Sequence, residues 1–257
     1  MFDIDRDNHA ARTLAAVPLL LAAAAGSLDG AVFSAFHDVV AGAMTGNLVA
    51  LGLGAGTGTP AALVPAACAL GGYAAGLVAG TRTAGLAGRV LGPRGAVALT
   101  LALELAVLTV ACVAWVLGGP GHAFPVGPVL AVTAGAMGVQ GAALRRVGPA
   151  GTPTNYFTGT VTNWVSGIAE PGARRWDPAT GARIAVFVGA VAAGVALHGV
   201  VPTGVIGLPL LLLAAATGLA AHAARRRGTH PHLPGGPATP PVTGRCAART
   251  GVGSALR

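Results

Sequence analysis

The chain has 257 residues, 53% of them hydrophobic and only 9% charged, with a formal net charge of +8. A soluble globular domain carries about 25% charged residues, so this composition excludes an ordinary soluble domain and points to a membrane protein. The positive balance comes from Arg alone, gathered at the ends of apolar runs, so it marks membrane topology rather than a nucleic-acid surface.

Residues 1–12, MFDIDRDNHAAR, are mixed in charge and lack the basic start of a signal peptide, which predicts a retained cytoplasmic tail. A helix crossing the bilayer needs roughly 20 apolar residues. Six stretches meet that length: 13–36, 61–81, 95–117, 124–144, 181–200 and 203–222. Between the first two lies a shorter apolar segment, 41–54, containing Met44-Thr45-Gly46-Asn47. As a helix it rises about 21 Å, too little for a full crossing. A second segment of this kind, NYFTGTVTNWVSGIA at 155–169, lies between the fourth and fifth runs. The final stretch, 225–257, is rich in Pro, Gly and Thr, has nothing to bury and is expected to be disordered and cytoplasmic.

The arginines orient these elements. Arg6 and Arg12 precede the first run, and Arg82, Arg89 and Arg94 link the second to the third. Arg145, Arg146, Arg174 and Arg175 lie between the fourth and fifth, and Arg225, Arg226 and Arg227 follow the sixth. The other three links contain no Arg, so the positive-inside rule puts both termini in the cytoplasm.

The two halves repeat. Asp29-Gly30-Ala31 is matched by Gln140-Gly141-Ala142, and MTGNLV at 44–49 by FTGTVT at 157–162. GGYAAG in the second run is echoed by VGAVAAG in the fifth. Each unit reads helix, short TG segment, helix, helix, and the units cover 13–117 and 118–224. An odd number of crossings turns the second unit upside down. The expected fold is therefore an all-α polytopic membrane bundle of six transmembrane helices in two inverted three-helix repeats, each with a short TG-containing half-helix. Such repeats recur in secondary transporters, whose sites lie near the midplane. Two readings of the TG segments stay open: re-entrant half-helices entering from opposite sides, or amphipathic links lying on the surface. A re-entrant helix N-terminus would favour an anion or a carbonyl oxygen.

Asp29 and Glu104 lie deep in apolar runs, where a carboxylate costs about 2.5–3.5 kcal/mol. Each is a candidate proton carrier or, alternatively, a structural acid bonded to backbone or side-chain donors. The candidate solute-binding set is Asp29, Thr45, Gly46, Asn47, Gln140, Thr158, Gly159 and Thr160; plain helix–helix hydrogen bonding is the other use of such residues. His37 and Asp38 fall at the outer mouth, and Trp115, Trp164 and Tyr156 fit interfacial anchors. Cys68 and Cys112 read as small hydrophobes. No nucleophile elbow, phosphate loop, HExxH or CxxC occurs, so neither an enzyme nor a metal or other cofactor is expected.

The residues SLDGAVF, AMTGNLVALG, AMGVQGA and TGT resemble the YoaK family, small bacterial membrane proteins defined by a domain of unknown function. The similarity covers about residues 14–224, with the MTGN motif intact at 44–47 and TGT at 158–160. Where the family has Asn after its Gln, this chain has Gly141. The resemblance implies a multi-pass inner-membrane protein and supplies no substrate. A small-solute transporter or channel is the function expected from the repeat. A non-transporting scaffold, assembly or stress-response protein is the alternative. The expected partners are the lipid bilayer and a small solute or ion; a homo-oligomer is allowed, and nucleic acid is not expected.

Overall fold

The computed structural model describes residues 2–36, 39–118, 126–146, 157–169, 177–201 and 206–225. Among them are helices α1 (Phe2–Phe36), α2 (Met44–Thr57), α3 (Pro60–Gly118), α4 (Val126–Leu144), α5 (Thr158–Ala169), α6 (Pro178–Val200) and α7 (Gly207–Arg225), and no strand. His37, Asp38, Tyr156, the link arginines Arg174 and Arg175, and the tail from residue 226 onward lie outside the described residues.

Local chemistry sets the ends of α2, α3 and α6. α2 stops where Gly58 takes a left-handed φ of 66° and donates its N–H to the Gly54 carbonyl. The Thr59 N–H reaches the same carbonyl at 2.9 Å, and Pro60 then opens α3 with a φ already suited to a first helical turn. α6 opens with Asp177 as its cap: the side chain accepts from the Ala179 N–H, and Pro178 takes the first helical position.

α3 differs from expectation. The arginine-bearing stretch 82–94, expected as a link between separate helices, is helical up to residue 91. The helix breaks at Gly92, with φ 72° and ψ 179°. A Cβ built on Gly88 lies 3.8 Å from the Ala96 Cβ, eight residues on. Eight residues of straight helix rise about 12 Å, so the chain reverses here and α3 is a hairpin of two arms, 60–91 and 93–118. A glycine able to take positive φ and a proline that starts the next arm are all the turn requires. α1 also extends back to Phe2, ahead of the expected start at residue 13, because no Gly or Pro interrupts that stretch.

Among the described residues, five helices are long and apolar enough to cross a membrane, counting Pro60–Leu117 once with its 58 residues. α4 packs along α3, α1 along α6 and α7, and α7 also against α3; the short helices sit outside, α2 on α3 and α5 on α6. The core draws on α1 (Val17, Leu21, Leu28), the second arm of α3 (Leu101, Leu108), α4 (Leu130, Met137) and α7 (Leu213). Two helix pairs approach at backbone contact. A Cβ on Gly30 would overlap the Val191 carbonyl of α6, and one on Gly194 the Ser27 carbonyl of α1. A Cβ on Gly76 would overlap the Gly135 carbonyl of α4, and one on Gly138 the Tyr73 carbonyl of α3. Small residues allow this approach, and in lipid such packing holds helices together where water supplies no drive.

Candidate functional site

Asp29 lies in α1, 5% exposed, and faces the connection that joins α1 to α2. Its Oδ1 accepts the Gly42 N–H at 2.7 Å, while Oδ2 is buried with no hydrogen-bond partner among the described residues. The other end of the same connection is held from α2. Asn47 is fully buried; its Oδ1 accepts the Val40 N–H at 3.1 Å and its Nδ2 donates to the Val40 carbonyl at 2.7 Å. One side chain thus satisfies both backbone groups of one residue, as a neighbouring strand would. Residues 39–42 have no helix of their own to satisfy these groups, and an unpaired backbone donor at this depth is costly.

A second buried polar pair lies elsewhere in the core. Gln140 of α4 donates from Nε2 to Glu104 Oε1 in the second arm of α3 at 3.0 Å, and both side chains are fully buried. Glu104 Oε2 has no hydrogen-bond partner among the described residues. Thr100, one turn before Glu104, bonds back to the Ala96 carbonyl at 2.7 Å and does not join the pair. Asp29 therefore serves the 39–42 connection, whereas Gln140, expected from the sequence to be its counterpart, serves a carboxyl on a neighbouring helix.

The TG residues sit differently. On α2 the buried positions are Asn47, Ala50 and Gly54, one stripe at helical spacing that faces α3. Thr45 and Gly46 are turned to the exposed side. On α5 only Thr160 is buried, its hydroxyl without a partner among the described residues, and Thr158 and Gly159 are exposed. Of the expected set, Asp29 and Asn47 meet on one segment and Gln140 meets Glu104. Thr45, Gly46, Thr158 and Gly159 lie on outward faces of the two short helices.

Sequence reasoning missed the Asp177, Thr180 and Arg183 cluster at the start of α6. Thr180 donates to Asp177 Oδ2 at 2.6 Å, Arg183 Nη2 donates to Thr180 Oγ1 at 2.6 Å, and Arg183 and Asp177 pair at 3.8 Å. The Thr180 hydroxyl chiefly, then the Ala179 N–H and the Arg183 charge, hold the Asp177 carboxyl below its ordinary value of 3.8. The signal was present as Asp-Pro-x-Thr before an apolar run, a helix start. Among the described residues, no group of three or more His, Cys, Asp or Glu is placed to hold a metal ion.

The family model described as protein of unknown function (DUF1275) matches residues 17–219. Over 152 residues, 58% of this chain, the sequence is 32% identical to the UPF0700 transmembrane protein YoaK of Bacillus subtilis (strain 168). The match spans 65% of that relative's length. No solved structure matches the chain.

Proposed function

Given that the chain belongs to the DUF1275 family, whose matched relative YoaK is a transmembrane protein, we propose that it passes a small solute or ion across the bacterial inner membrane. The reading takes the arms of α3 as separate crossings, giving six, with the units 13–117 and 118–224 threaded in opposite senses and both termini cytoplasmic. One observation carries it: the closest helix approaches join repeat-matched pairs of helices, α1 with α6 and α4 with the first arm of α3. Gly194 lies against the Ser27 carbonyl, and Gly76 against the Gly135 carbonyl, one turn from Gly138, the mate of Ser27. Gly194 and Gly76 close the matching VGAVAAG and GGYAAG stretches. Inverted units that pack alike enclose a shared midplane, where transporter sites occur.

In this reading Asp29, Asn47, Gln140 and Glu104 supply the polar groups of the path, with Asp29 and Glu104 as proton carriers. α2 and α5, which bring Thr45, Gly46, Thr158, Gly159 and Thr160, act as gates at opposite mouths. Their few buried residues put them at the easily moved end of the fold. The role involves no catalysis, cofactor or nucleic acid; copies of the chain are its compatible partners. The test uses the purified full chain in liposomes loaded with a pH-sensitive dye under an imposed potential. Wild type should carry a proton flux that Asp29→Asn abolishes while insertion is unchanged. Wild-type flux in the variant would remove Asp29 from the mechanism.

The bonds made by Asp29 and Asn47 favour a second reading, a scaffold that transports nothing, since both residues brace a connection. Absence of any flux from correctly inserted wild-type protein would select it.

A further inference from the structure

At the arginine-bearing end of the bundle, the α3 turn and the end of α4 enclose an open cleft of about 480 Å³ lined by Gly85, Gly88, Arg89, Pro93 and Arg146. Arg146 follows α4 in a short turn, its N–H donating to the Ala143 carbonyl at 3.1 Å. Its guanidinium lies over the glycine face of the first α3 arm: Cβ atoms built on Gly88 and Gly85 sit 3.4 and 3.8 Å from its Nη atoms. Arg89 enters the cleft from that arm, one turn beyond Gly85. The lining holds no carboxylate, and neither guanidinium forms an ion pair with a described side chain. Two cations therefore face one small cleft with no counter-charge among the described side chains. Membrane topology requires arginines at this end but does not require them to converge over glycines.

Beside the cleft, the same arm exposes Leu86, Val90 and Leu91 at 66%, 83% and 57%. The surface thus joins a cationic hollow to an apolar flank, the pattern of an amphiphile with an anionic head. We propose that this cleft binds the phosphate of an anionic phospholipid, with Arg89 and Arg146 on the phosphate oxygens and the acyl chains along the Leu86–Val90–Leu91 flank. Guanidinium groups suit phosphate because their forked donors bond two oxygens at once, and basic pockets between membrane helices are known to receive lipid headgroups. The apolar flank favours a lipid over free phosphate, and the inference stands whether or not the chain transports anything.

The test is native mass spectrometry of the full-length protein in detergent, titrated separately with phosphatidylglycerol, phosphatidylcholine and inorganic phosphate. Phosphatidylglycerol should be retained in preference to phosphatidylcholine. Arg89→Ala and Arg146→Ala should each weaken that retention about tenfold, the scale of one lost charge-assisted hydrogen bond. Gly85→Leu, which fills the cleft and leaves both charges, should weaken it comparably. Arg82→Ala, outside the cleft, should bind as wild type, and unchanged circular dichroism shows that each variant is folded. Equal retention by wild type, the two arginine variants and Gly85→Leu would overturn the site. Binding of inorganic phosphate without preference between the lipids would overturn the lipid assignment.

Discussion

Asp29 and Asn47 fasten the same short stretch of backbone from two different helices. Removing an acceptor from a buried donor costs the desolvation of the group left behind, about 1–3 kcal/mol. Asp29→Ala should lower stability by about that amount, because it orphans the Gly42 N–H. Asp29→Asn keeps an acceptor there and should cost less than about 1 kcal/mol. Denaturant unfolding in detergent measures both, and an Asp29→Ala variant as stable as wild type would show that the bond contributes nothing. Asp177 gives a pH-dependent counterpart. Its folded pKa lies below 3.8, so its charge stabilises the fold above that pH and the contribution fades as pH falls through the folded value. Asp177→Asn still caps α6, so its deficit at neutral pH should be under about 1 kcal/mol, as befits a side chain 56% exposed, and should vanish in acid. Thermal melts of both proteins from pH 7 downward through and well below 3.8 read the change; a deficit that does not shrink as the pH falls would contradict the assignment.

At the scale of helices, glycine positions decide where the bundle closes. Gly138→Ala sets a methyl against the Tyr73 carbonyl and the Leu77 N–H, which must move apart. Overpacking of this kind costs about 1–3 kcal/mol. Gly189→Ala, on the open side of α6 with nothing within 4 Å, should be neutral or stabilising by up to about 1 kcal/mol. Melting both variants in one detergent separates contact from helix propensity; equal effects would deny the close approach. The same scale explains what was legible. Long apolar runs are explicit in sequence, so each expected crossing has its helix: 13–36, 61–81, 95–117 and 181–200 lie wholly within one, and α4 and α7 cover the other two from Val126 and Gly207. The reversal between the second and third runs was legible too, but its tightness was not: the helix continues through Arg82 and Arg89 to residue 91, and Gly92 and Pro93 alone turn the chain. The outward placing of Thr45 was legible in principle, since Asn47, Ala50 and Gly54 already mark the α2 stripe that packs. The partners of Asp29 were not, because backbone groups of residues 39–42 carry no signature of their own.

At the scale of the whole molecule, the arginine pattern and the repeat make one joint demand. If the units are inverted, the α1–α2 connection and the start of α5 lie on opposite sides of the bilayer. Both Thr45 and Thr158 are exposed, so a thiol at either position is limited by the side of the membrane rather than by packing. In a background with Cys68, Cys112 and Cys246 replaced by Ser, Thr45→Cys should react with an impermeant maleimide added to intact cells. Thr158→Cys should react only in inverted vesicles. Labelling of both from one side would break the inversion, and with it the reason for expecting a shared midplane site. Opposite labelling blocked by a thick hydrocarbon layer at both positions, visible as reaction with permeant reagents only, would instead keep the topology and move α2 and α5 off the mouths of the path. The expected result, opposite sides and water-accessible, is the only one in which the outward faces of the two short helices meet aqueous phases at both ends of a single route.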